Sequence, residues 1–124
     1  MTVNEAIINA LSEVAPCYPW GVEELNPESR DIRRIVFNYS TTPLVYGDNA
    51  PLLERYTVQV HYFCPYADDS IAARELIKAL LFAADFDYPT EITVNDRTET
   101  EQHFCFETQI SDFELIEGDE DGDV

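Results

Sequence analysis

Two histidines and three cysteines are the residues of this sequence best suited to chemistry, and four of the five fall in two short groups, His61 with Cys64 and His103 with Cys105. Imidazole and thiolate are the preferred ligands of zinc. The spacing argues against a shared site. His61 and Cys64 stand three apart at the end of an alternating run, which sends their side chains to opposite faces of a strand. His103 and Cys105 share a face, turned away from Phe104 and Phe106, but no Cys-x-x-Cys pair accompanies them. The expectation is two histidines on a polar face and two packed thiols, with no spacing that singles out a Cys–His nucleophile. The carboxylate pairs Asp68-Asp69, Asp85 with Asp87, and Glu99 with Glu101 fall where helix ends and turns are expected, and capping accounts for them. The run Asp119-Glu120-Asp121-Gly122-Asp123 starts like a calcium loop, yet such a loop closes on a glutamate about twelve residues from its start, and none stands there. Only four glycines occur, none in a phosphate-binding or nucleophile-elbow pattern. The sequence therefore predicts no catalytic, cofactor-binding or metal-ligating residue, and no enzyme.

The elements that would hold these residues belong to one domain. A chain of 124 residues with 45% apolar and 12% aromatic content can fill one core and is not expected to be disordered as a whole. An odd cysteine count without repeated spacing predicts reduced thiols rather than a disulfide framework. No apolar run reaches the ~18 residues of a membrane span. The opening Met-Thr-Val-Asn-Glu lacks the basic and apolar regions of a signal peptide, so a cytoplasmic protein is expected. Charge excludes more than composition does. Seven basic residues against 25 acidic ones give a formal net charge of −18, and such a surface repels phosphate backbones. Glu117, Asp119, Glu120, Asp121 and Asp123 concentrate part of the excess into a tail, 117–124, expected to be flexible and solvating. Residues 1–116 remain acidic without it.

Along the chain, Thr2-Val3-Asn4-Glu5 has the spacing of a capping box, and Ala6, Ile7, Ala10, Leu11 and Val14 recur as a helical stripe. A helix from Val3 to Ala15 is expected, stopped by Pro16 and Pro19. Cys17 to Arg30 reads as a connector, with Trp20 pinning it to the core. A strand over Ile32 to Ser40 follows, with Ile35, Phe37 and Tyr39 on one face. Thr41 to Leu53, holding Pro43, Gly47, Asp48, Asn49 and Pro51, reads as a long loop without regular structure. Tyr56, Val58, Val60 and Tyr62 then alternate with Thr57, Gln59, His61 and Phe63. Asp68 or Asp69 caps a second helix whose stripe is Ile71, Ala72, Leu76, Ala79, Leu80 and Ala83, widened by Ile77, Leu81 and Ala84. The last third reads as a hairpin. Ile92 and Val94 form one strand, Asn95 to Gln102 the turn, and His103 to Ile110 the other strand, which Phe113 and Leu115 extend. The order α-β-β-α-β-β predicts an α+β fold, an antiparallel four-stranded sheet with two helices packed on one face.

That order, carried by the helix Val3 to Val14, the strand Ile35 to Tyr39, the run Glu54 to Phe63, the helix Ala72 to Leu80 and the strand His103 to Ile110, resembles the tail terminator and tail-completion (head-tail joining) proteins of long-tailed bacteriophages and prophages. The acidic tail beyond Leu115 is not part of that family's pattern. The resemblance implies a non-enzymatic subunit of the virion, made in the host cytoplasm, that assembles with itself as a ring, hexameric by expectation. It implies the tail tube protein and head-completion or neck proteins as partners, a loop between the first two strands that projects into the ring or towards the tube, and an acidic channel wall past which DNA slides. No membrane and no sequence-specific nucleic acid is among the implied partners. Sheet edges that need covering give a separate reason for head-to-tail contacts between copies. The residues expected at such contacts are Pro43, Leu44, Val45, Tyr46, Asp48, Asn49, Leu52 and Leu53. A head-completion or minor capsid neck protein is the neighbouring reading, and an acidic inhibitor that mimics DNA is the reading from another class.

Overall fold

The computed structural model of the chain describes residues 1–20, 33–47, 50–65, 69–92 and 101–116, and at 46 and 50–52 it describes the backbone alone. The first helix, α1 (Val3–Leu11), starts where the capping box places it, with the Thr2 hydroxyl accepting the Glu5 amide at 3.1 Å. It ends at Leu11, short of the expected Ala15, where the Ser12 amide closes on the Ile8 carbonyl.

A short strand, β1 (Cys17–Pro19), comes next, and then two long ones, β2 (Arg34–Gly47) and β3 (Ala50–Pro65). The second helix, α2 (Ser70–Ala83), is capped by Asp69, whose carboxylate accepts the Ile71 amide. Two strands follow, β4 (Thr90–Ile92) and β5 (Glu101–Ser111), and then one helical turn, α3, over residues 112–116.

The sheet corrects the expected architecture. It has five strands in the order β1-β2-β3-β5-β4, and it is mixed, because β1 runs parallel to β2 while the other pairs are antiparallel. The additional strand comes from the segment read as a connector. Pro16 offers its carbonyl to the Ile35 amide at 2.8 Å, and the Trp20 amide donates to the Phe37 carbonyl at 2.8 Å. Pro19 lacks a donor, which an edge strand tolerates. The third helix replaces the expected extension of the last strand. Ser111-Asp112-Phe113-Glu114 is itself a capping box: the Ser111 amide donates to the Glu114 carboxylate at 3.0 Å, and the Ser111 hydroxyl meets the same carboxylate. The expected loop Thr41 to Leu53 is also corrected, since residues 41–47 and 50–53 continue β2 and β3 as paired strands. Asp48, Asn49, most of the expected turn Asn95 to Gln102 and the tail 117–124 lie outside the described residues.

Register assigns the two sheet faces. Ile35 opposes Tyr62 and Phe37 opposes Val60, while Val60 opposes Phe106 and Tyr56 opposes Ile110. This face is covered by both long helices, and Val3, Ile7 and Leu11 of α1 join Ile77 and Leu81 of α2 and Phe86 in one buried cluster with it. Phe37, Phe106 and the aliphatic residues at its centre are fully enclosed. At ~1.5–3 kcal/mol for each fully buried large apolar side chain, this cluster dominates the stability of the fold. No helix among the described residues is long and apolar enough to cross a membrane.

Candidate functional site

The most prominent feature outside the core is an arm formed by β2 and β3. The β3–β5 ladder ends at the pair Arg55 and Ser111, and β1 covers β2 only at residues 35–37. Beyond these limits β2 and β3 pair with each other alone. Residues 50–54 carry the hairpin roughly 17 Å past the last β5 pair, at ~3.3 Å per residue. Two irregularities shape it. Leu44 is skipped between the pairs Pro43–Glu54 and Val45–Leu53, and Leu52 is skipped between Val45–Leu53 and Tyr46–Pro51. These are bulges on opposite strands, each beside a proline, and both devices bend an edge and remove ladder donors. The arm is therefore poorly suited to adding a further strand at 43–52. It is suited to presenting side chains, and Pro43, Leu44 and Val45 are exposed.

The base of the arm is clamped. Asp112, at the start of α3, accepts the Glu54 amide at 2.7 Å and the Tyr56 hydroxyl at 2.9 Å. Tyr39 meets Tyr56 edge-on across the two strands, with ring centroids 5.5 Å apart. Burial, then the hydrogen bond to Asp112, then the charges of Asp112 and Glu54 push the Tyr56 phenol up to about 12. The clamp went unread in the sequence, although the Ser-x-x-Glu spacing that signals α3 was there to be found.

Of the residues expected at subunit contacts, the structure brings Pro43, Leu44, Val45 and Leu53 together on the arm, with Val45 and Leu53 as cross-strand partners. Leu53 is half-buried. Tyr46 and Leu52 belong to the same strands by backbone, and Asp48 and Asn49 lie outside the described residues.

A second apolar surface lies on α2, and it corrects the expected stripe. Ser70, Ile77 and Leu81 are the buried positions, with Ala73, Leu80 and Ala84 packed against the core. Ile71 (66% exposed), Leu76 (46%) and Phe82 (59%) point outward, with Ala72, Ala79 and Ala83 exposed between them. Tyr88 (55% exposed) extends the patch by meeting Phe82 edge-on at 5.7 Å. Ion pairs rim it: Arg74 holds Glu91 through two nitrogens, and Lys78 meets Glu75 at 2.9 Å. The Arg74 guanidinium also lies 4.5 Å above the Phe104 ring. The hydrogen bond from Arg74 holds the Glu91 carboxyl below its ordinary value. An outward apolar face of this kind is a candidate contact surface.

The face of the sheet away from the helices carries the histidines. His61 Nδ1 and His103 Nε2 lie 2.8 Å apart, one ring donating and the other accepting. Phe63 stacks on His103 at 4.3 Å, and the Arg34 guanidinium sits 4.1 Å over Phe63 while meeting Glu101 in a two-pronged ion pair of 2.8 and 3.1 Å. Trp20 lies against His61 at 5.6 Å and is largely exposed, so it pins β1 to this face rather than to the core. Cys64 belongs to the opposite, core-facing side, which separates it from His61, His103 and Cys105. No group of three metal-ligating side chains occurs among the described residues. Cys17, Cys64 and Cys105 are free thiols, and burial pushes the Cys17 thiol up to about 11. This face therefore consists of rings and ions packed on one another.

The sequence matches no protein-family model and no curated protein.

Proposed function

We propose that this chain is a non-enzymatic assembly subunit, a phage or prophage structural protein of the tail terminator kind that joins copies of itself into a ring capping the tail tube and meeting the head. Its place would be the virion, after assembly in the host cytoplasm. Its partners would be itself, the tail tube protein and head-completion or neck proteins. The observation that carries this reading is the arm of residues 41–47 and 50–54, which extends past both neighbouring strands. A two-stranded hairpin is marginal in water without a third strand or a packed helix. An arm this long, with exposed Pro43, Leu44 and Val45 at its bulge, is best supported by burial against another subunit. The charge of −18 is compatible with a channel wall that DNA slides past.

The same charge favours the competing reading, an acidic inhibitor that mimics DNA. Molar mass by light scattering, over a range of protein concentrations and salt, separates the two. The assembly reading expects a discrete oligomer of about six subunits, closed by head-to-tail contacts, and a ring in negative-stain micrographs. A monomer under every condition that instead binds tightly to a basic nucleic-acid-binding protein would sink it.

A further inference from the structure

We propose that two copies of this chain pair antiparallel through the outer face of α2, about a two-fold axis at the middle of the helix. The contact goes beyond the assembly reading above, because it uses none of the arm and stands whether or not the arm closes a ring.

The spacing of the exposed residues defines the occupant as a helix. Ala72, Leu76, Ala79 and Ala83 are all exposed, and they follow one another at intervals of four, three and four. An apolar repeat of this spacing is the seam along which two helices pack lengthwise. Three of its four members are alanine, and side chains that small let helix axes approach to the near end of the usual range of about 8–10 Å.

The order of residues on α2 says which helix. A second row, Ile71, Glu75, Lys78 and Phe82, runs beside the seam at the same intervals. In an antiparallel two-fold pair each row lies against itself reversed. Ile71 then meets Phe82 of the second copy, and Glu75 meets its Lys78. On the seam Leu76 meets its Ala79, a large side chain against a small one. Both rows reverse about Ile77 to within half a residue, so one axis serves both. Ile71 and Phe82, the ends of the second row, are 66% and 59% exposed in the single chain. A parallel pair would set Glu75 on Glu75 and Lys78 on Lys78, and like charges brought together in this way oppose association. Glu75 and Lys78 already meet within each copy at 2.9 Å, so the contact between copies fixes orientation more than it adds affinity. An unrelated helix could use the apolar seam, but only a second copy supplies the second row in reverse. The contact is isologous and closes at two copies.

The test is molar mass by light scattering over a range of protein concentrations. High salt screens the repulsion between chains that each carry −18. The wild type is expected to reach twice the monomer mass or an even multiple of it. Ala79→Arg puts a bulky charge on the seam at an exposed position, in a residue type that helices accept, and is expected to halve that mass. An unchanged thermal midpoint checks its fold; if the midpoint drops, Leu76→Lys repeats the measurement. Orientation is read from Ile71→Lys and Phe82→Glu, both at exposed positions. Each alone sets a charge against an apolar side chain at both ends of the pair and is expected to be monomeric. An equimolar mixture is expected to pair, with lysine against glutamate at one end and the native Phe82 against Ile71 at the other. If the wild type pairs and the mixture stays monomeric, the helices do not meet antiparallel and the proposal falls. A wild-type mass of about six subunits that Ala79→Arg leaves unchanged removes this contact and leaves the ring. A wild type that stops at two copies and dissociates in Ala79→Arg upholds this contact and removes the ring. A wild type that is monomeric throughout removes both.

Discussion

Asp85 follows α2 with φ of 74°, the left-handed region that glycine occupies without steric cost. The hydrogen bonds around it are those of a Schellman ending: the Phe86 amide donates to the Leu81 carbonyl at 3.1 Å and the Asp85 amide to the Phe82 carbonyl at 3.2 Å. The turn drives Phe86 into the core, where it is almost fully buried. Aspartate here carries a Cβ against the backbone and a negative charge at the negative end of the helix dipole. Asp85→Gly removes both and is expected to raise stability by about 0.5–1 kcal/mol in urea denaturation, whereas Asp85→Ala keeps the Cβ and should gain less. Tyr56 makes the second residue-scale prediction. Its phenol is pushed up to about 12 from an ordinary value of 10.0, so the folded chain holds this proton more tightly than the unfolded chain does. The resulting stability is complete below pH 10 and is lost as the pH climbs from 10 through about 12. Alkaline titration followed by tyrosinate absorbance should lose a late-titrating phenol in Tyr56→Phe. Asp112→Ala should bring that phenol down, because it removes the hydrogen bond and the neighbouring charge. A late phase of unchanged amplitude in Tyr56→Phe would show that Tyr56 does not titrate late.

At the level of elements, β4 is held to α2 by the ion pair of Glu91 with Arg74, in which both side chains are 29% exposed. The carboxyl is held below its ordinary value, so its stabilisation is present above about pH 4.5 and disappears as the pH falls through the lowered folded value. Glu91→Gln is expected to cost about 1 kcal/mol at neutral pH, and the difference from wild type should close in acid. A cost unchanged in acid would mean that packing, not charge, is what the substitution removes. The same scale shows what was legible in the sequence. The start of α1 was plain and the cap of α2 was narrowed to Asp68 or Asp69, of which the structure uses Asp69, because these are local signals that act through nearest amides. The facing of α2 was not, because apolar residues occupy nearly its whole circumference. Only the tertiary packing of Ile77 and Leu81 decides which arc is inside, and that left Ile71, Leu76 and Phe82 outside. The arm reads as a loop in the sequence because proline, glycine, aspartate and asparagine are turn formers. In this bulged hairpin Pro43 and Pro51 stand beside the bulges and Gly47 pairs with Ala50, so the surface position of Pro43, Leu44 and Val45 is legible in the sequence and their strand conformation is not. The strand β1 is three residues long, too short for alternation to register. Phe113 and Leu115 alternate like a strand, and the Ser111–Glu114 capping box outweighed them.

For the whole molecule, the sign of the salt effect separates the two kinds of association open to so acidic a chain. Repulsion between copies at −18 acts over the Debye length, about 10 Å at 0.1 M salt and about 3 Å at 1 M. A contact through the arm or the outer face of α2 is made of apolar side chains, and the ion pairs beside that face, Arg74 with Glu91 and Lys78 with Glu75, are already satisfied within each copy. Screening therefore removes the cost of bringing two acidic bodies together while leaving the attraction intact. Self-association should tighten as salt rises from about 0.05 M to about 0.5 M, seen in sedimentation as a shift from monomer to oligomer at fixed protein concentration. An acidic surface that grips a basic partner behaves in the opposite way, because its attraction is itself electrostatic and weakens with salt. Oligomers that dissociate on adding salt would place charged residues, rather than the arm and the outer face of α2, at the subunit contact.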